Sequence, residues 1–304
     1  MNCIDSPPHS SLPPASLIIC SRNRPKLLFE TVTSVLQGAE LPTEIIIIDQ
    51  SDNPHEELRT WQPNQFCEIR YLWTQSVGVG RARNAGIGAA RHDMLAFIDD
   101  DMIVAPAWFT SLMRALLHSG RRSVVTGQVL AGEAEVPSSF APSTKTDELP
   151  AVYEGRVGRD VLWTGNMAMW RSAVNDVGVF DERLGPGSRF PASEDNDYGF
   201  RLLEARYRIL YVPEAILYHR AWRAEREYLP LRWNYGRGQG AYYAKHLSLR
   251  DRYMLGRMWK DMRRIVFRFP HLVWRQRQQA YGDMIFVLGV LSGAVEWMLT
   301  QRRT

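Results

Sequence analysis

The sequence predicts an α/β fold: a doubly wound, mostly parallel sheet followed by a helical appendage. Three observations predict it. From Ser16 to Val129, short and almost wholly apolar runs alternate with segments of helical period. Such runs lack the polar alternation of a one-faced strand, so they read as strands covered on both sides and paired in parallel through right-handed crossovers. Polar clusters stand directly after several of these runs, at the strand carboxyl ends where open α/β sheets bind ligands.

Each element follows from local pattern. Ser16–Cys20 (SLIIC) is an apolar run between prolines and Ser-Arg-Asn-Arg-Pro, and Lys26–Gln37 carries Leu28, Val32, Val35 and Leu36 at helical spacing. Glu44–Ile48 is a second strand ending at Asp49, Glu68–Trp73 a third, and Arg81–Arg91 a helix. Met94–Ile98 is a fourth strand running into Asp99-Asp100-Asp101, with a helix at Ala107–Ser119 and a strand at Ser123–Val129. Ala131–Asp160, rich in Pro, Ser, Gly and Glu, reads as a long loop region. Regular structure resumes at Arg171–Val177, with a helix at Asp195–Ala205 and short strands at Arg208–Val212 and Ala215–His219. Beyond Ala224 the pattern is mostly helical, with Tyr235–Gly240 as a glycine-rich interruption. The expected division is a loose lead-in (1–15), a catalytic α/β domain (16–222) and a basic helical region (223–304).

With 304 residues, 45% of them hydrophobic and 23% charged, the chain can bury a large core, which excludes a disordered protein. Cys3, Cys20 and Cys67 have neither metal-ligand spacing nor a disulfide framework, which points to a reducing, cytoplasmic setting. The N-terminus lacks the basic start and apolar run of a signal peptide. Of the net +4 charge, Asp251–Thr304 supplies more than the whole, with ten Lys or Arg against four Asp or Glu. The tail therefore suits an anionic surface, while the charge says little about the body; nucleic acid is not expected as a partner.

The candidate chemistry lies in three clusters. Asp99-Asp100-Asp101 concentrates carboxylates whose repulsion needs water or a cation, and hard cations held by one or two carboxylates typically bridge to substrate phosphates. Asp99 and Asp101, two apart on an extended chain, can face the same side, leaving Asp100 for a contact such as a ribose hydroxyl. A solvated acidic turn is the plain alternative. Gly78–Gly86 (GVGRARNAG) begins like a dinucleotide fingerprint, but Arg83 replaces the third glycine and the run does not follow the first strand, so a nicotinamide cofactor is disfavoured. An Arg-bearing helix start can still bind phosphate. Glu194-Asp195-Asn196-Asp197 opens a helix, where acidic residues complement the macrodipole; one of them could equally serve as a general base.

Taken together and in order, LIICSRNRP (Leu17–Pro25), EIIIID (Glu44–Asp49), GVGRARNAG, AFIDDD (Ala96–Asp101), TGNM (Thr164–Met167), FDERLGPG (Phe180–Gly187), EDNDYGFRLL (Glu194–Leu203) and YRILYVPEAILYH (Tyr207–His219) resemble the family 2 glycosyltransferases, inverting enzymes of GT-A fold. The resemblance implies metal-assisted transfer of a sugar from a nucleotide-diphosphate donor to a hydroxyl of a glycan or lipid-linked acceptor. It implies Asp195 as catalytic base beside Glu194; Ser21, Asp49, Arg83, Asp99, Asp100 and Asn166 as donor contacts; and Asp99, Asp101 and His219 around a divalent cation, Mn²⁺ or Mg²⁺. Cys20-Ser21 and Gln50-Ser51-Asp52 depart from the family's usual Pro-Thr and Asp-Gly-Ser, so uridine is only the first expectation for the base.

Two rival readings are a nucleotidyltransferase, which would carry a glycine-rich basic loop after the first strand where Ser21–Pro25 has no glycine, and a non-catalytic sugar-nucleotide-binding protein. In the tail, Arg232, Trp233 and Arg237 are expected to pack a helix hairpin rather than close over the donor. Arg252–Arg277 interleaves basic with apolar residues as interfacial helices do, and Met284–Leu299 is apolar but short for a span. The chain is therefore expected to sit peripherally on the cytoplasmic face of the inner or plasma membrane.

Overall fold

The computed structural model describes residues 12–62, 66–134, 139–220 and 222–301; most of the expected lead-in and Cys3 lie outside the described residues. In chain order the elements begin with β1 (Ala15–Ser21), α1 (Pro25–Leu36), β2 (Glu44–Asp49), α2 (Glu56–Thr60), β3 (Glu68–Trp73) and α3 (Val79–Ala89). Next come β4 (Met94–Asp99), β5 (Met102–Val104), α4 (Trp108–Ser119), β6 (Ser123–Ala131), β7 (Ser139–Phe140) and β8 (Ala151–Tyr153). Then follow β9 (Asn166–Trp170), α5 (Ser172–Val177), α6 (Glu194–Glu204), β10 (Arg208–His219) and β11 (Arg223–Ala224). The helices α7 (Tyr228–Lys245), α8 (Tyr253–Arg275) and α9 (Arg277–Gln301) complete the described chain.

The main sheet runs β3-β2-β1-β4-β9-β6-β10-β5, with β8 also paired to β10. β1, β2, β3, β4, β6 and β10 point one way. Alternate residues of the apolar strands serve opposite faces. Leu17, Ile19, Ile45 and Ile47 pack beneath α1 and α4, whereas Ile18, Ile46 and Ile48 pack beneath α3 and α6. This two-sided burial is why the strands are apolar throughout. It also places the ends of β1, β2 and β4 and the starts of α3 and α6 along one rim.

Three expectations change. Asn166–Trp170, read only as a motif, is the strand β9, inserted antiparallel between β4 and β6 and buried along its length. The two short strands at Arg208–Val212 and Ala215–His219 are one strand, β10, whose pairing with β6 shifts register between Val212 and Ile216, around Pro213. Tyr235–Gly240 does not interrupt the helices but lies inside α7. A Cβ at Gly240 would stand 2.0 Å from the Val290 carbonyl oxygen, and one at Gly293 would stand 2.1 Å from that of Arg237. These glycines let α7 and α9 approach backbone to backbone, a packing role that outweighs their poor helix propensity. Arg232 bonds Asp283 at 2.8 Å and Arg237 bonds Glu296 at 2.7 Å across the same pair.

Among the described residues, one helix (Arg277–Thr300 of α9) is long and apolar enough to cross a membrane by length and composition, and 44% of its most apolar window is buried inside the protein.

Candidate active site

A cleft of about 770 Å³ opens beyond the carboxyl ends of β1 and β4, and the first turns of α3 and α6, the end of β10 and α7 wall it. Ser21, Arg24, Arg83, Asp99, Asp100, Asp101, Glu194, Asp195 and His219 all line it, although they are drawn from five chain segments.

Arg83 is its centre. Only 3% exposed, it donates to Glu194 Oε1 and to Asp99 Oδ1, each at 3.0 Å, with its guanidinium 5.5 Å from the Phe180 ring centroid. A buried guanidinium must be matched by carboxylates to stay in place, so the Arg of GVGRARNAG locks the strand-four acid to the helix-six acid. Gly165, in the TGNM segment, closes the wall: a Cβ there would lie 2.4 Å from Asp99 Oδ2.

The other two strand-end carboxylates turn to β1, α1 and β10. Asp100 accepts from Ser21 Oγ at 2.7 Å and Arg24 at 3.1 Å. Burial, with the charges of Asp101 and Asp99, pushes its carboxyl up to about 6. It is 5% exposed and already partnered, so the expected ribose contact meets an acid engaged within the protein. Asp101 accepts from Arg24 at 3.0 Å and stands 3.4 Å from His219 Nε2. Burial works against the Asp101 charge, but the bond and charge of His219 and the charge of Arg24 outweigh it and hold the carboxyl below the ordinary range. Reciprocally, Asp101 raises the His219 imidazole despite burial.

Asp195 lies in the first turn of α6, with one oxygen accepting the Asn196 backbone N–H at 2.8 Å. Burial first, then the charges of Glu194 and Asp160, push its carboxyl well above the ordinary carboxylate range. The preceding Ser193 is left-handed (φ 69°) and is held there from the appendage. Gln239 of α7 accepts from Ser193 Oγ at 2.9 Å and from Asn196 Nδ2 at 2.8 Å, and donates to Asp160 at 3.4 Å. Asp160 in turn accepts from Arg257 of α8 at 2.5 Å.

Two expected donor contacts lie elsewhere. Asn166 is fully buried in β9, where its amide donates to the Gln128 and Ala215 carbonyls and accepts from Trp108 Nε1, a bonding set complete within the sheet. Asp49 is fully buried at the end of β2, where it accepts from the Ser51 backbone N–H at 2.8 Å and from the Ser51 and Tyr71 hydroxyls. Its tie is to the adjacent loop rather than to the cleft. Asp99 and Asp101 are likewise not paired around one point: Asp99 turns to Arg83 and Asp101 to Arg24 and His219, because two guanidiniums separate the charges. Among the described residues no three acidic, His or Cys side chains form a metal cluster. The sequence reading missed Arg24, Gln239, Asp160 and Arg257; Arg24 stood within the quoted LIICSRNRP, and Gln239 within the glycine-rich segment.

The sequence model of glycosyl transferase family 2 matches residues 16–178, more than half of the chain. The chain belongs to this family. Among curated members it is 30% identical over 216 residues to a pre-mycofactocin glycosyltransferase of Mycobacterium tuberculosis, covering 67% of this chain and 42% of that protein. It is 26% identical over 223 residues to a hyaluronan synthase of Pasteurella multocida, covering 62% and 22%. The chain thus spans less than half the length of these relatives. Among solved structures, Staphylococcus aureus TarS 1–349 superposes with a TM-score of 0.52 at 16% identity, covering 93% of this chain and 83% of that one. GalNAc-T7, crystallised with UDP, GalNAc and Mn²⁺, superposes with a TM-score of 0.51 at 18% identity, covering 68% and 43%. At these identities the likeness is one of fold, and the fold is GT-A.

Proposed function

We propose that the chain transfers a sugar, with inversion, from a nucleotide-diphosphate donor to a hydroxyl acceptor in this cleft. The observation that carries the reading is Arg83, buried and bridging Asp99 to Glu194 at the C-terminal edge of a family 2 sheet. On this reading 16–222 forms the catalytic domain, and 223–304 supports the base from behind through Gln239 and Arg257.

Asp195 accepts the proton of the acceptor hydroxyl as its oxygen bonds to the anomeric carbon, while the bond from that carbon to the diphosphate breaks and the nucleoside diphosphate leaves. The Arg83 guanidinium, held in place by Asp99 and Glu194, stabilises the charge gathering on the leaving group, and Ser21 lines the cleft for a donor contact. Asp101 and His219 suit a divalent cation, Mn²⁺ or Mg²⁺. The two side chains face each other on the cleft wall, 3.4 Å apart, and offer the oxygen and imidazole donors such an ion takes. When bound, the cation would offset the diphosphate charge. UDP is the first candidate nucleotide, as in the GalNAc-T7 complex, and the acceptor is a glycan or lipid-linked saccharide met at the cytoplasmic face of a membrane.

Incubation with a panel of nucleotide sugars and Mn²⁺ tests the class. Release of nucleoside diphosphate from one donor is expected. Pyrophosphate release from a nucleoside triphosphate and a sugar phosphate would make the chain a nucleotidyltransferase, and no release from any donor would favour a binding protein.

The pH profile tests the base. A base must be ionised, so turnover falls as pH drops through its pKa, and the raised Asp195 carboxyl places that acid limb above the ordinary value of about 3.9. Glu194→Gln removes the adjacent negative charge and leaves Arg83 nearby, so the limb is expected to move to lower pH. A limb that is unmoved, or moves upward, contradicts the assignment.

A further inference from the structure

The helix α8 exposes what a soluble surface normally hides. Trp259, Phe267 and Trp274 are 63%, 75% and 83% exposed, and Leu255 and Val266 nearly half. Leu255, Trp259 and Val266, four and seven residues apart, fall on one exposed line of a 23-residue helix about 34 Å long. Met254, Ile265 and Leu272, little more than a quarter turn from this line and nearly opposite Phe267 and Trp274, are buried against the protein. Phe267 and Trp274 stand one and two heptads after Lys260, on the line next to this stripe, with Arg263 and Arg264 on adjacent turns. Arg263, Arg268 and Arg275 make no ion pair with a described residue, and Arg264 has only the partly exposed Asp261 at 3.7 Å. The following helix α9 leaves Leu288, Leu291, Val295 and Met298 exposed on the side that neither α7 nor α8 covers.

We propose that the exposed face of α8, with Trp259, Phe267 and Trp274 inserted and Arg263, Arg264 and Arg268 at headgroup level, docks the protein on an anionic lipid bilayer. The inference rests on, and deepens, the reading of a transferase working beside a membrane. Two features choose the occupant. Exposed Trp and Phe side chains with Arg263 among them and Arg264 and Arg268 on the flank match the layered polarity of a bilayer interface, where rings sit below the headgroups and long guanidinium side chains reach the phosphates. A second copy of the chain is disfavoured, because a two-fold interface would oppose these arginines to their own images. The same layer touches the cleft: Leu231, Asn234 and Tyr235 of α7 and Phe286 of α9 line its rim. Since α8 packs on α9, docking through α8 brings this helical wall of the cleft towards the lipid surface.

Flotation of the full chain with vesicles tests this. The protein is expected to float with mixed phosphatidylcholine–phosphatidylglycerol vesicles, to be released by high salt, and to bind pure phosphatidylcholine far more weakly. The triple change Arg263→Gln, Arg264→Gln, Arg268→Gln should weaken anionic-vesicle binding about 100-fold, at about fivefold for each charge removed. Trp259→Glu with Phe267→Glu should abolish flotation while leaving the melting temperature and nucleoside diphosphate release from the donor in solution unchanged, since both side chains are exposed. Absence of flotation by the wild type, arginine variants that bind as well as it does, or a stable dimer in sedimentation that protects Trp259 from oxidation would each overturn the proposal. Donor turnover is read separately, so lost docking with intact turnover refutes the surface alone, and intact docking without turnover refutes the transferase reading alone.

Discussion

Asp195→Asn is expected to lower turnover by on the order of 10²–10⁴-fold, the usual contribution of a general base. The substitution keeps the shape and the acceptor oxygen that takes the Asn196 N–H at 2.8 Å, so the first turn of α6 should survive. What is lost is the ability to take a proton. Glu194 gives the internal comparison: its oxygen holds Arg83 at 3.0 Å, and in the proposed mechanism it carries no proton. Glu194→Gln keeps an acceptor oxygen for Arg83 and should cost less than Asp195→Asn. Equal losses would make the pair a structural unit instead of a base and its neighbour.

The second large effect is expected from the cation. Excess chelator should reduce turnover by on the order of a thousandfold, the equivalent of the several kcal/mol that a bound cation supplies in charge stabilisation, and Mn²⁺ or Mg²⁺ should restore it. Asp101→Ala should weaken donor binding as well, because the diphosphate would then meet Asp99 and Asp100 without the counter-ion that Asp101 and His219 are proposed to hold. The side effects of this change are definable: Arg24 loses one of its two acidic partners and keeps Asp100 at 3.1 Å. Full activity in excess chelator would remove the cation from the account and leave Arg24 and Arg83 as the charges facing the diphosphate.

The parallel half of the sheet was legible because strands covered on both faces have to be apolar at every position, as Ile45–Ile48 are. β9 was not legible, because its five residues carry no turn signal and its antiparallel insertion is decided by pairing with strands about 40 and 70 residues away. The glycines of α7 misled for a related reason: locally they favour a break, and only the approach of α9 explains them. In the site, strand-end and helix-start positions together with the family resemblance were enough to gather Arg83, Asp99, Asp101, Glu194, Asp195 and His219. They were not enough to orient side chains, since which carboxylate meets which guanidinium is set in three dimensions. Asn166 was named as a donor contact through the TGNM motif of the resemblance, yet an amide in the middle of a sheet must satisfy its own donors and acceptor. Gln239 and Arg257 reach Asp195's surroundings from the far end of the chain, a contact that no local pattern encodes.

Asp195 is proposed to move a proton, not to hold the fold or the donor. Calorimetric titration of Asp195→Asn with the donor nucleotide in the presence of Mn²⁺, on the same preparation whose transfer rate has been measured, tests it most directly. An affinity close to that of the wild type is expected beside a turnover lowered at least about 100-fold. Turnover close to the wild type, or an affinity lost together with turnover, would contradict it; the second outcome would make Asp195 a helix-start residue that shapes the cleft.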